Sequence, residues 1–139
     1  QRWLKVGGLW KPIKGAKNMN AANVKAVLDD TMMIDGAVGS ALVDWKSGMC
    51  LGTAGGQGLN LEVAAAGNTE VVKAKMKTMA ALGLRDNIED MLITLGSQYH
   101  LIRIVKGESA LFIYLALNKA NSNLAMARHQ LSSAEKKLA

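Results

Sequence analysis

The sequence predicts an α+β domain: a single five-stranded antiparallel sheet with helices on its faces, in the order α-β-β-α-β-β-β-α. Three observations carry this. Two stretches read as hairpins, each a pair of β-like runs joined by a turn that contains glycine. One run, Ala110 to Leu117, is apolar at every position, as suits a central strand covered on both sides. Three other stretches space their apolar residues three and four apart, the period of a helix face.

Residues 1–18 stand apart from that pattern. They hold Trp3, Trp10, Pro12, three glycines and the basic residues Arg2, Lys5, Lys11, Lys14 and Lys17, with no Asp or Glu. Their apolar and basic residues do not segregate on a helix, and Gly7, Gly8 and Pro12 would weaken one. They read as an appended basic tail dispensable for folding, with Met19 as a candidate start, or else as an arm for a membrane surface or a partner. The folded domain is then expected over residues 19–139.

From Asn20 each element has its own signal. Val24, Val27, Leu28, Thr31 and Met32 form one face of a first helix, stopped at Asp35-Gly36. Ala37 to Asp44 and Met49 to Thr53 are strands around the turn Asp44 to Gly48. The glycine-rich stretch Gly52 to Gly58 leads to a long helix capped by Asn60 and closed by Gly83. Glu89 to Leu95 and Gln98 to Lys106 make the second hairpin around Gly96-Ser97. Gly107-Glu108 turns into the central strand, and the polar stretch Asn118 to Asn123 introduces a last helix with the stripe Leu124, Ala127, Leu131, Ala134 and Leu138.

The long helix, Asn60 to Gly83, carries two apolar stripes. One is Leu61, Ala65, Val72, Met76 and Met79, interrupted by Asn68; the other is Val63, Gly67, Val71, Ala74, Ala81 and Leu82, with Thr78 inside it. A helix lying on its own sheet needs only one, so the second asks for another surface, and a second copy of the chain is the simplest. The stripe Ala65, Asn68, Val72, Met76 and Met79 is expected to face that copy, because it mixes Met and Asn. Gly67 and Ala74 would then lie on the sheet. The strand Met91 to Leu95 is expected at the sheet edge, where Met91 and Ile93 would join the same interface. Glu62, Thr69, Glu70, Lys73 and Lys77 form a polar strip between the stripes, the candidate surface for a further partner.

Composition narrows the function classes. The net charge of +6 is not spread over the domain: five of the seventeen basic residues lie in the first eighteen, leaving twelve against eleven acidic ones. A body that nearly neutral is unsuited to tracking phosphates, so no nucleic-acid partner is expected. The longest apolar run is far shorter than the ~20 residues of a membrane span, so no membrane insertion is expected. Nor is there the charged start, apolar middle and cleavage site of a signal peptide. A lone Cys50 suits a reducing compartment, and a cytoplasmic protein is the expectation.

Catalytic signals are missing. Gly52 to Gly58 sits where a phosphate loop would, but lacks both the Lys-Ser/Thr pair and the Gly-x-Gly-x-x-Gly spacing. His100 and His129 have no partner at ligand spacing. Asp29-Asp30 and Glu89-Asp90 are sequence neighbours whose side chains diverge, whereas acid–base chemistry needs convergence. No catalytic residue, metal or cofactor is assigned, and the chain is expected not to be an enzyme.

Three segments resemble the roadblock (dynein light chain) domain family in its bacterial form: Ile34 to Asp44 with the Ser47-Gly48 turn, Leu61 to Val72, and Glu89 to Arg103. The likeness covers about residues 20–138. It implies a cytoplasmic homodimer whose sheets join edge to edge through the third strands of the domain, with the long helices side by side. It also implies a small Ras-like GTPase as partner, with the chain as a regulator or scaffold that in some relatives accelerates hydrolysis. A structural or transport adaptor without a GTPase is the alternative. Arg85 and Arg103 are arginine-finger candidates by residue type alone.

Overall fold

The structure, a computed structural model, describes residues 3–12, 20–107 and 110–138. Its elements run β1 (Trp3–Val6), β2 (Leu9–Pro12), α1 (Ala21–Thr31), β3 (Ala37–Asp44), β4 (Met49–Gly55), α2 (Leu61–Ala81), β5 (Asp90–Thr94), β6 (Gln98–Ile104), β7 (Leu111–Asn118), a short 3₁₀ turn at Lys119–Asn121, and α3 (Leu124–Lys136). From residue 20 onward this is the expected order, and β3 to β7 form one antiparallel sheet in the order β4-β3-β7-β6-β5. The doubly apolar strand β7 is central, buried from Leu111 to Leu117. β4 runs two residues beyond the expected Thr53, because Ala54 and Gly55 still pair with Ser40 and Gly39.

The sheet is the middle of three layers. On one face α1 and α3 pack side by side, closing a core of Val27, Leu28, Leu42, Leu101, Leu115 and Leu131 among others. On the other, α2 covers Ala41, Val43, Phe112, Tyr114 and Ala116. Alternate residues of β7 point into the two cores, which is why that strand needs no polar face.

Local signals explain the element ends. Asn20, Asn60 and Asn123 each accept a hydrogen bond from the backbone N–H three residues on, at 2.8, 3.1 and 3.1 Å, capping α1, α2 and α3. Gly83, with φ +70°, follows α2 in the left-handed conformation that ends helices. α3 is clamped by charge as well as by its apolar stripe. Arg128 grips Asp90 of β5 through two bonds, at 3.0 and 2.8 Å, and Lys137 reaches Asp30 of α1 at 2.6 Å. The fully buried Glu135 accepts a bond from Arg103 of β6 at 3.2 Å.

The first residues differ from the sequence reading in form. Trp3 to Pro12 is a two-stranded antiparallel hairpin, separate from the main sheet. Gly7 and Gly8, at φ +57° and +81°, make the turn; positive φ at both central positions matches the right-handed twist of paired strands. Residues 13–19 lie outside the described residues.

Candidate functional site

The features that set this chain apart from a closed globule lie on α2 and β5. α2 starts over β3 and β4, where Leu61, Ala65, Thr69 and Val72 are buried against the sheet. This corrects two expectations. Ala65 and Val72 do not face a partner, since both have zero exposure and belong to the core beneath α2. Thr69, assigned to the polar strip, is 2 % exposed and faces the sheet. Its hydroxyl donates to the Ala65 carbonyl at 2.8 Å, so it enters the core without an unsatisfied group. Asn68 is half-buried and bonds the Ala64 carbonyl at 2.8 Å in the same way. Polar residues that satisfy themselves on their own helix are poor markers of a solvent face, which is how the stripes came to be exchanged.

The outward stripe is the one with small residues. Val63 is 66 % exposed and Val71 40 %, and Gly67, Ala74, Thr78 and Ala81 are exposed beside them. Gly67 has open space around it, so its lack of a side chain is not needed by any contact within the chain. Glu62, Glu70, Lys73 and Lys77 are exposed along one margin of this stripe.

α2 is also longer than the surface it covers. No residue beyond Val72 is fully buried; Met76 and Met79 are half-buried, and the exposed Leu82 and Leu84 follow. The half of the helix from Lys73 to Ala81 is therefore largely exposed, with Met76 packed on the core beneath it.

β5 ends the sheet on one side. Ile104 N–H donates to the Glu89 carbonyl at 3.2 Å and Leu95 N–H to the Gln98 carbonyl at 2.8 Å. Alternation then turns the N–H and C=O of Asp90, Leu92 and Thr94 away from β6. Met91 and Ile93 are half-buried, with Met91 against the core under α2. One polar cluster lies close to this edge. His100, opposite Ile93, stacks edge-on against Tyr114 with ring centroids 5.4 Å apart. Its Nδ1 lies 3.2 Å from the Tyr114 hydroxyl, and its Nε2 lies 2.8 Å from Gln98 Oε1. The Gln98 oxygen can only accept, so Nε2 donates, and the Tyr114 hydroxyl donates to Nδ1 of a neutral ring. Burial lowers the pKa of His100 and pushes that of Tyr114 up to about 12.

The groups weighed for chemistry have structural partners. Gly55 and Gly56 take φ +65° and +91°; a side chain on Gly55 would strike Met32, and one on Gly56 would strike Leu61. The glycine loop is thus a turn wedged between α1 and α2. Arg103 is buried and engaged by Glu135, and Arg85 is exposed between α2 and β5. Asp29 pairs with Lys25 on its own helix. Cys50 is half-buried; burial raises its pKa against an opposing contribution from the Gly52 backbone, and nearby Glu62 raises it further. A cleft of about 510 Å³ runs from Asp86 to Glu89 and from Ile104 to Gly107. It is walled by loop and strand ends and gathers no nucleophile with a base. Among the described residues no helix is long and apolar enough to cross a membrane.

No protein-family model and no curated protein matches the chain. Solved structures do. Myxococcus xanthus MglB superposes with a TM-score of 0.74 at 19% identity, over 83% of this chain and 84% of that one. The gliding protein MglB from Thermus thermophilus gives 0.70 at 16% identity, over 83% and 84%. A Roadblock/LC7 domain from Streptomyces avermitilis gives 0.69 at 10% identity, over 80% and 90%.

Proposed function

We propose that this chain, which has the roadblock fold, is a cytoplasmic, non-enzymatic, homodimeric regulator or scaffold that binds a small Ras-like GTPase. The observation that carries the reading is the combination of a largely exposed helix half, with Met76 packed on the core beneath it, and a strand edge that has no neighbour among the described residues. Pairing β5 with β5 of a second copy would satisfy the outward groups of Asp90, Leu92 and Thr94 and extend the sheet. The projecting half of α2 would then meet its counterpart, with Met76, Met79, Met91 and Ile93 near the seam and the outer stripe of small residues allowing close approach. This deepens the shared core without a new fold, as an isologous contact does.

A dimer of this kind displays two α2 helices as one platform, with Glu62, Glu70, Lys73 and Lys77 along it. Such charges orient and steer a partner more than they supply affinity. The GTPase reading draws on the resemblance of Ile34 to Asp44, Leu61 to Val72 and Glu89 to Arg103 to bacterial roadblock domains. Arg103 is tied to Glu135, so of the two arginine-finger candidates only the exposed Arg85 is free to reach a partner, and the role proposed is to position the GTPase. Titration of the chain with the GTPase encoded nearest to its gene, loaded with GDP or a non-hydrolysable GTP analogue, tests the reading. Tighter binding of the triphosphate form, weakened by Lys73→Glu with Lys77→Glu while sedimentation still reports a dimer, is the expected result. A dimer that binds neither form would favour the adaptor reading.

A further inference from the structure

The hairpin Trp3–Pro12 is not used by the platform just described, and its make-up points elsewhere. Among the described residues its strands pair only with each other, outside the five-stranded sheet. A two-stranded hairpin alone in water is marginal, and needs a further strand or a surface to pack on. Its own register offers no clean apolar face for a protein core: Lys5 stands opposite Trp10, and Lys11 opposite Leu4. The two middle pairs of the register thus each combine a cation with an apolar residue. Around it the sequence adds Arg2, Lys14 and Lys17, with no acid among the first eighteen residues, while the remainder of the chain is close to neutral. The first eighteen residues therefore hold most of the net charge of the molecule in a short amphiphilic segment.

We infer that this hairpin is a docking arm for anionic lipid surfaces. Two properties select a membrane surface over another polyanion. Trp is the side chain best suited to the boundary between headgroups and acyl chains, and the arm has two of the three in the sequence. Leu4, Val6 and Leu9 supply apolar area that a phosphate backbone has no use for. Cross-strand pairing satisfies part of the backbone, which lowers the cost of leaving bulk water. The arm would adsorb without spanning: four-residue strands fall well short of the ~9–11 residues of a membrane-crossing strand.

The test uses the full chain and vesicles of phosphatidylcholine with and without phosphatidylglycerol, followed by co-sedimentation and Trp emission. Binding is expected only with phosphatidylglycerol present, with a blue shift of the emission and release by high salt. Each basic residue near such a surface is worth about fivefold in affinity, so Lys5→Glu with Lys11→Glu should weaken binding by at least ~25-fold. Trp3→Ala with Trp10→Ala should remove the blue shift. Both variants lie outside the five-stranded sheet, so unchanged far-UV circular dichroism and melting would show that the domain is intact. Failure of the wild type to bind anionic vesicles, or equal binding by the charge-reversed variant, overturns the inference. So does tighter retention on duplex or single-stranded nucleic acid than on vesicles at matched salt, which would assign the arm to nucleic acid.

Discussion

Two buried polar sites carry clear consequences for single residues. Glu135 is fully buried, and Arg103 is its partner. Truncating Glu135→Ala strands the guanidinium in the α3 core, and the expected loss is about 3–5 kcal/mol, read as a drop in the denaturant midpoint. Replacing both by apolar residues, Arg103→Met with Glu135→Leu, should recover most of that stability; a double variant as unstable as the single would show that the pair does more than neutralise itself. The second site is the Gln98–His100–Tyr114 chain. Tyr114→Phe leaves Nδ1 of His100 without its donor and should cost about 1 kcal/mol. Because burial depresses the His100 pKa, its neutral form is favoured in the fold. That contribution to stability is complete above the unfolded histidine value of about 6.5 and is lost as the pH falls from there through the folded value. His100→Gln should flatten that part of the stability profile in melts between neutral and mildly acidic pH. Neither cluster was legible in the sequence as a pair, since Arg103 and Glu135, or His100 and Tyr114, meet only once strands and helix are assembled. The residues could be recognised by type, but not their partners.

At the level of elements the reading of the sequence held from Asn20 onward; it gave no strands to the hairpin Trp3–Pro12, and its error on α2 is instructive. β7 announced its central place through unbroken apolarity, and Asn60 marked the start of α2 through a side chain that competes for backbone N–H groups. What failed was the rotation of α2. Both its stripes have helical period, so periodicity could not rank them. The deciding facts are Thr69 and Asn68, whose polar groups return to their own helix backbone at 2.8 Å, and the burial of Leu61 and Val72 against the sheet while Val63 and Val71 stay exposed. The corrected rotation changes the expected effect of mutation. Val72→Asp now places a charge in the core under α2 and should unfold the protein rather than separate a dimer. Met79→Asp, on the projecting half, should yield a folded monomer by sedimentation with its circular dichroism retained. A folded, fully dimeric Met79→Asp protein would remove that half of α2 from the interface.

For the whole molecule the test falls on the exposed rim of β5. Proline at an outward N–H removes a donor that β6 does not use, whereas proline at an inward one breaks the sheet. Leu92→Pro is therefore expected to block pairing with a second copy while leaving a folded chain, and Ile93→Pro to destabilise the chain itself. If Leu92→Pro stays dimeric in sedimentation, the copies do not meet through β5. The sequence made the existence of this edge visible through an isolated run, Met91 to Leu95, following a helix stop. It could not make visible the overhang of α2, because the reach of a helix past its sheet depends on where the first strands place its start.

The sheet has a second margin, and its character determines how far assembly proceeds. Growth by joining β4 of one molecule to β5 of the next would never close, and the product would be a fibre. The pairing of β3 with β4 shifts register between Leu42 and Val43, a bulge that twists the outer strand. Gly52 lies close beneath Val24 and Leu28 of α1, and Gly55 turns the chain away at positive φ. A strand bent at one end and turned off at the other is a poor template for a straight neighbour. The same few glycines that seat α1 on the sheet would thus give the proposed pairing a terminus: chains that met through β5 would count to two and stop.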